Sequence, residues 1–188
     1  MTRIIGGSAG GRRLKTPTGD STRPTSDRVR EALFSAIDSV TGSLVGLRFL
    51  DLYAGSGAVG LEARSRGAGV VTLVEHNRRT ASLIRQNVKT LEFSRVEVTT
   101  STVARALVHP PRAPYDLVFL DPPYAVDQAE VREALTSLRH HGWVAPGTLV
   151  VVERPTRDAD LAWPEGFTGL RSKRYGETTL WYGHATNT

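Results

Sequence analysis

From Leu47 to Glu153 the chain repeats one unit, a short apolar run followed by an amphipathic stretch. The runs are LRFLDL (47–52), VVTLVE (70–75), RVEVTT (95–100), YDLVFLD (115–121) and TLVVVE (148–153). Several are apolar almost throughout, which suits strands covered by helices on both faces of a parallel sheet. Between them, Ala81, Ile84, Val88 and Leu91 give residues 77–91 one apolar helical face, and Val131, Leu135 and Leu138 do the same for 127–139. The segment GLRSKRYGETTLWYG reads as two strands around Gly176. Five strand–helix units closed by a terminal antiparallel pair predict an α/β fold with a doubly wound sheet.

Ahead of the repeat, RIIGGSAGGRRLKT (3–16) has strand-like ends around a glycine-rich centre and predicts a hairpin. Pro17 to Pro24 is turn chemistry, and Thr25, Ser26 and Asp27 offer caps for a helix with Val29, Leu33, Phe34 and Ile37 on one face. The expected division is an arm over 1–24 and a main domain over 25–188. Charge follows the same division. The net charge is +5, and residues 1–30 hold seven basic side chains against two acids, while the remainder holds 17 of each. Basic charge clustered beside a neutral body predicts a polyanionic partner, because neutralised phosphates release counterions. The chain has no cysteine, which excludes disulfides, thiol nucleophiles and cysteine-ligated metals. Adjacent His140 and His141 make a poor metal pair, so no metal is expected. No segment approaches the ~20 apolar residues of a membrane span, and a cytoplasmic protein is the expectation.

In FLDLYAGSGAVGLEA, Gly55, Gly57 and Gly60 stand in G-x-G-x-x-G spacing between a strand and a helix. Such a loop turns tightly and brings backbone N–H groups to a ligand at a helix N-terminus. Glu75 ends the next strand, 20 residues after Gly55, where a carboxylate can accept both hydroxyls of a ribose. A nucleoside-bearing cofactor is therefore expected, with Tyr53, Ala54, Ser56 and His76 beside it. Asp51, just before the loop, is unfavourable for a pyrophosphate and suits a cationic ligand such as S-adenosylmethionine. A nicotinamide dinucleotide is disfavoured on that ground.

The fourth run ends VFLDPPY, Val118 to Tyr124. In a doubly wound sheet the carboxyl ends of the strands form the ligand crevice, which puts Asp121 at the site. Pro122 and Pro123 fix φ and donate no hydrogen bond, leaving the Asp121 carboxylate and the Pro122 carbonyl as acceptors on a rigid arc. Two acceptors so placed can hold the two hydrogens of an exocyclic amine and aim its lone pair at an electrophile. Tyr124 offers a face on which a displaced base can stack, worth roughly 1–3 kcal/mol. Catalysis would then rest on positioning and desolvation. Glu153 also ends a strand at the crevice, where pairing with Arg154 or another arginine is its expected use.

DLYAGSGAVGLEARSRGA, Glu75 and DLVFLDPPY resemble the class I S-adenosylmethionine-dependent methyltransferases of exocyclic amines. Together with RIIGGSAGGRRLKTPTGDSTRPTSDRVREALF, they resemble the RsmD family of bacterial 16S ribosomal RNA guanine-N2 methyltransferases. The resemblance runs from Arg3 to about Gly183. It implies a seven-stranded Rossmann-like sheet with an N-terminal hairpin extension, working as a monomer on a guanine of the assembling small subunit. It further implies that Asp51, Gly55, Gly57 and Glu75 hold the cofactor, that Asp121, Pro122, Pro123 and Tyr124 hold the guanine, and that Arg3, Arg12, Arg13, Lys15, Arg23 and Arg28 face RNA. Thr25, Asp27 and Arg28 would lie on a cap over the site. Many relatives carry Asp or Asn after the third strand, near the adenine; this chain has TTSTVA from Thr99, so Ser101 or Thr102 would stand in. Amine methylation at adenine N6 of DNA or RNA, or in protein, and nicotinamide-dependent oxidoreduction are the rival readings.

Overall fold

The computed structural model describes residues 2–18 and 25–187. A two-stranded antiparallel ladder, β1 (Thr2–Arg3) and β2 (Arg13–Leu14), precedes helix α1 (Asp27–Thr41). Then follow β3 (Arg48–Leu52), α2 (Ala58–Ser65), β4 (Val70–Glu75), α3 (Arg78–Thr90), β5 (Val96–Thr100), α4 (Val103–Leu107), β6 (Tyr115–Leu120) and α5 (Gln128–His140). The chain finishes with β7 (Val144–Pro155), β8 (Phe167–Tyr175) and β9 (Thr178–Ala185). The seven-stranded sheet has the order β5-β4-β3-β6-β7-β9-β8. The first five in that order run parallel, and β9 enters antiparallel between β7 and β8. The chain winds outward from β3 to β5, then returns to lay β6 on the other side of β3. That reversal opens a crevice at the carboxyl ends of β3 and β6.

Strand alternation explains the two cores. Leu50, Leu52, Val118, Leu120, Val150 and Val152 face α4 and α5, whose Leu107, Val131, Leu135 and Leu138 are buried against them. Phe49, Val71, Leu73, Phe119 and Val151 face the opposite way, onto Leu33, Phe34 and Ile37 of α1 and onto Val59, Ala63 and Ile84. The apolar stripe read on α1 is the buried one. Ser26, Asn77, Thr102 and Asp127 cap α1, α3, α4 and α5, each accepting a backbone N–H with its side chain. Helix α2 differs. Its cap is Gly57, at φ +80°, with no side-chain hydrogen bond. The first amides of α2 are therefore left for acceptors from elsewhere.

The N-terminal hairpin packs onto the body. Ile4, Ala9 and Leu14 are buried with Ala58, Leu61 and Leu91 of the α2 and α3 layer. Ser65 Oγ accepts from Ala9 N (2.9 Å) and donates to Gly6 O (2.6 Å), while Asn87 exchanges two hydrogen bonds with the backbone of Lys15. Gly7 sits at φ +79°, and a Cβ there would fall 2.0 Å from Ser65 O, so only glycine permits this approach.

Candidate active site

Three strand ends supply carboxylates. Asp51, on β3, is 1% exposed and accepts from Gly60 N at 2.9 Å. Glu75, ending β4, accepts from Gly55 N at 2.8 Å and from Asn77 N at 3.0 Å. The glycine loop and the uncapped start of α2 thus receive acceptors from two neighbouring strands, which fixes the loop over the sheet. Gly60 is needed for this packing: a Cβ would lie 2.7 Å from Leu73 Cδ2 and 3.1 Å from Asp51 Oδ2. Burial pushes the Asp51 carboxyl well above the ordinary carboxylate range; the Gly60 N–H opposes this and the Glu75 charge adds to it. Tyr53, just past β3, holds φ at +59° without being glycine. Such backbone costs of order 1–3 kcal/mol and is typical of functional sites. Burial, with the Glu130 charge and against that of Arg154, pushes its phenol up to about 12, so Tyr53 stays neutral.

Asp121 follows β6 and lines the same cavity of about 500 Å³ as Asp51, Tyr53, Ala54, Gly55, Ser56, Glu75 and His76. Pro122, Pro123 and Tyr124 continue its wall, and Pro123 O closes a turn by accepting from Val126 N at 2.9 Å. Tyr124 is 58% exposed, with the Arg157 guanidinium 5.4 Å from its ring centroid. Removal from water raises the Asp121 carboxyl well above its usual range, and the charges of Glu153 and Asp51 raise it further. Thr25 and Arg154 only partly offset this. Thr25 Oγ1 lies 3.4 Å from Asp121 Oδ2 and 3.1 Å from Glu153 Oε2, bridging the two acids from just before α1. Thr16, Pro17, Thr25 and Ser26 also line it, as do Tyr175, Glu177 and Thr178 from β8, β9 and the turn between them, so the arm and the start of α1 wall part of the crevice.

Among the basic residues, Arg3, Arg12, Arg13, Lys15 and Arg28 are all exposed. Arg3 and Arg28 border one groove, with Asp27 and Glu31. The Arg12 guanidinium donates to Thr90 O at 3.0 Å. Arg23 lies outside the described residues. Ser101 is not among the cavity residues: its hydroxyl donates to Thr102 O at 2.9 Å, and the Thr102 hydroxyl is engaged as the α4 cap.

Two buried charges went unrecognised in the sequence. Arg30, in α1, and Glu62, in α2, are both 0% exposed and pair at 3.2 Å. Glu62 also accepts from Ile5 N, Gly6 N (2.9 Å each) and Arg66 Nε (2.9 Å). Arg30 further donates to Arg3 O, to Thr25 O and to Asp27. One ion pair therefore joins the hairpin, α1, α2 and the Thr25 corner. The available signal was Glu62 among the apolar residues AVGLEA that open α2, where a carboxylate needs several donors.

A crevice at the sheet reversal, an acid ending each of β3 and β4, an Asp-Pro-Pro-Tyr turn after β6 and the antiparallel β9 inserted near the edge define a methyltransferase of the Rossmann-like class. The family model described as Conserved hypothetical protein 95 matches residues 2–184. The chain belongs to this family, the RsmD family. It is 36% identical over 175 residues to the ribosomal RNA small subunit methyltransferase D of Escherichia coli (strain K12), covering 93% of this chain and 85% of the relative. The Haemophilus influenzae protein of the same name is 37% identical over 177 residues, covering 93% and 89%. Among solved structures, the yhhF protein of Escherichia coli, described as a methyltransferase, superposes with a TM-score of 0.86 at 33% identity, covering 98% of this chain and 97% of that one.

Proposed function

We propose that the chain transfers a methyl group from S-adenosylmethionine to the exocyclic N2 of a guanine in the RNA of the small ribosomal subunit. The observation that carries this is the shared cavity: the Asp121-Pro122 acceptor pair opens into the space walled by Asp51, Gly55 and Glu75. The donor and acceptor set fits S-adenosylmethionine. Asp51 suits its ammonium group, the loop amides at the start of α2 suit its carboxylate, and Glu75 suits its ribose. A pyrophosphate would meet the Asp51 charge beside the α2 amides, which disfavours a nicotinamide dinucleotide. The names of the relatives support ribosomal RNA as the acceptor, and the exposed arginines of the hairpin suit its phosphates.

When bound, S-adenosylmethionine supplies an electrophilic methyl: the N–C bond forms as the S–C bond breaks, the electron pair stays on sulfur, and one N2 proton is released. The protein's part is to hold the amine. Asp121 and the Pro122 carbonyl accept its two hydrogens, and Pro122 and Pro123 keep that arc rigid. Asp121, held above the usual carboxylate range, is also a suitable acceptor for the released proton. Tyr124 gives the base a face at the cavity rim. The enzyme would act in the cytoplasm, as a monomer. The test is transfer of labelled methyl to under-methylated small subunits, with free RNA, DNA and ribosomal protein as parallel acceptors. Label in RNA supports the proposal; label confined to DNA or protein would contradict it.

A further inference from the structure

An exocyclic amine does not by itself identify a base. What distinguishes guanine is the neighbouring ring atom: N1 carries a hydrogen beside N2, whereas the nitrogen beside the amine of adenine or cytosine is a bare acceptor. An enzyme that reads a displaced base does so along this edge. A site for guanine therefore needs a second acceptor next to the one that holds the amine.

The sheet places one there. The parallel pairing of β6 with β7 runs through Phe119 with Val151 and Leu120 with Val152. One step further, Asp121 and Glu153 stand level on neighbouring strands, and both point to the face that Phe119 and Val151 occupy. Thr25 Oγ1 touches both acids, at 3.4 and 3.1 Å, so a single hydroxyl spans the gap between them. A carboxylate offers about four lone-pair sites, so contact with this one hydroxyl does not by itself saturate either acid. Both line the cavity, together with Pro122 and Tyr124.

The geometry points to Glu153 as the residue that selects guanine, accepting its N1–H while Asp121 and Pro122 hold the N2 amine. This rests on the guanine-N2 reading of the site. Adenine or cytosine in the same pose would set a ring lone pair against the Glu153 carboxylate and leave that acceptor unpaired, and sites built to hydrogen-bond one partner reject its absence strongly. Glu153 is thus a specificity residue, in direct contact with the substrate base.

The test replaces the modified guanine of the small-subunit RNA with 2-aminopurine by splinted ligation. 2-Aminopurine keeps the N2 amine but has an acceptor at N1 and no O6. Wild-type enzyme should favour guanine by roughly 100-fold or more in kcat/KM. Glu153→Gln carries an amide NH2 that can donate to the 2-aminopurine N1. It should narrow that preference at least about tenfold, losing activity on guanine while keeping or gaining it on 2-aminopurine. Glu153→Ala should lower the guanine rate without the gain on 2-aminopurine. Unchanged S-adenosylmethionine affinity in both variants, by calorimetry, shows that they are folded. A wild-type preference retained by folded, active Glu153→Gln would overturn the assignment while leaving the guanine-N2 reading intact. Wild-type enzyme that placed no methyl on guanine N2 would overturn both.

Discussion

At the scale of single residues, the site is a place where charge is kept against its own solvation. Asp121 has a folded-state carboxyl raised above its unfolded value, so between those two values the native chain holds more protons than the unfolded one. Stability contributed by this group is therefore present at low pH and is lost as pH rises through that window. Above that window the ionised acid destabilises the fold. Asp121→Asn keeps the shape and still accepts from Thr25. It should raise the melting temperature of the ligand-free protein, by about 0.5–2 kcal/mol in stability, while cutting turnover at least about a hundredfold. Calorimetry on the variant and wild type checks the first, and single-turnover kinetics the second. The rate should also rise with pH as Asp121 ionises. The groups that set this limb are Glu153, Asp51, Arg154 and Thr25, and Glu153→Gln, which removes a neighbouring negative charge, should move it to lower pH. A pH–rate profile in which the limb stayed in place would contradict the coupling.

At the scale of elements, much was legible and some was not, for physical reasons. The β4 run 70–75 coincides with the strand, because its six residues lie between a turn and a cap. Strand β7 extends from Val144 to Pro155, beyond the apolar core 148–153, because pairing with β9 and β6 continues where side chains no longer need to be apolar. The five-residue α4 has no periodicity long enough to read. The Asp-Pro-Pro-Tyr turn and the glycine loop were legible because their chemistry is local. The bridging role of Thr25 was not, since its partners lie 96 and 128 residues away. The Arg30–Glu62 pair was hidden for the same reason. Arg30→Met would take the buried counter-charge from Glu62, leaving it the partly exposed Arg66, and should cost up to about 3–5 kcal/mol, measurable by urea unfolding. A loss below 1 kcal/mol would mean that Arg66 and the Ile5 and Gly6 amides suffice.

At the scale of the whole molecule, the basic arm packs onto the globule and lines part of the crevice through Thr16 and Pro17. Removing it would strip Ile4 and Leu14 from the apolar cluster with Leu61 and Leu91 and deprive Glu62 of two amide donors, so truncation would test folding as much as RNA contact. Charge reversal at exposed positions separates the two. Arg12→Glu with Arg13→Glu should raise KM for the RNA acceptor about tenfold, leave S-adenosylmethionine affinity unchanged, and reduce the salt dependence by about one unit of slope per lost phosphate contact. A KM and slope equal to wild type would remove the hairpin from the RNA surface. The seven-stranded sheet was expected through family resemblance, but its strand order was not. The insertion of β9 between β7 and β8 depends on long-range pairing that no local pattern in TTLWYGHA encodes.

The most direct measurement is the chemical identity of the product. Small subunits lacking the modification are incubated with the enzyme and labelled S-adenosylmethionine, the RNA is digested to nucleosides, and the methylated species is identified by mass spectrometry. N2-methylguanosine, lost in Asp121→Asn, is the predicted result. Methyl on adenine N6, on cytosine or on ribose, or N2-methylguanosine undiminished in Asp121→Asn, would contradict it.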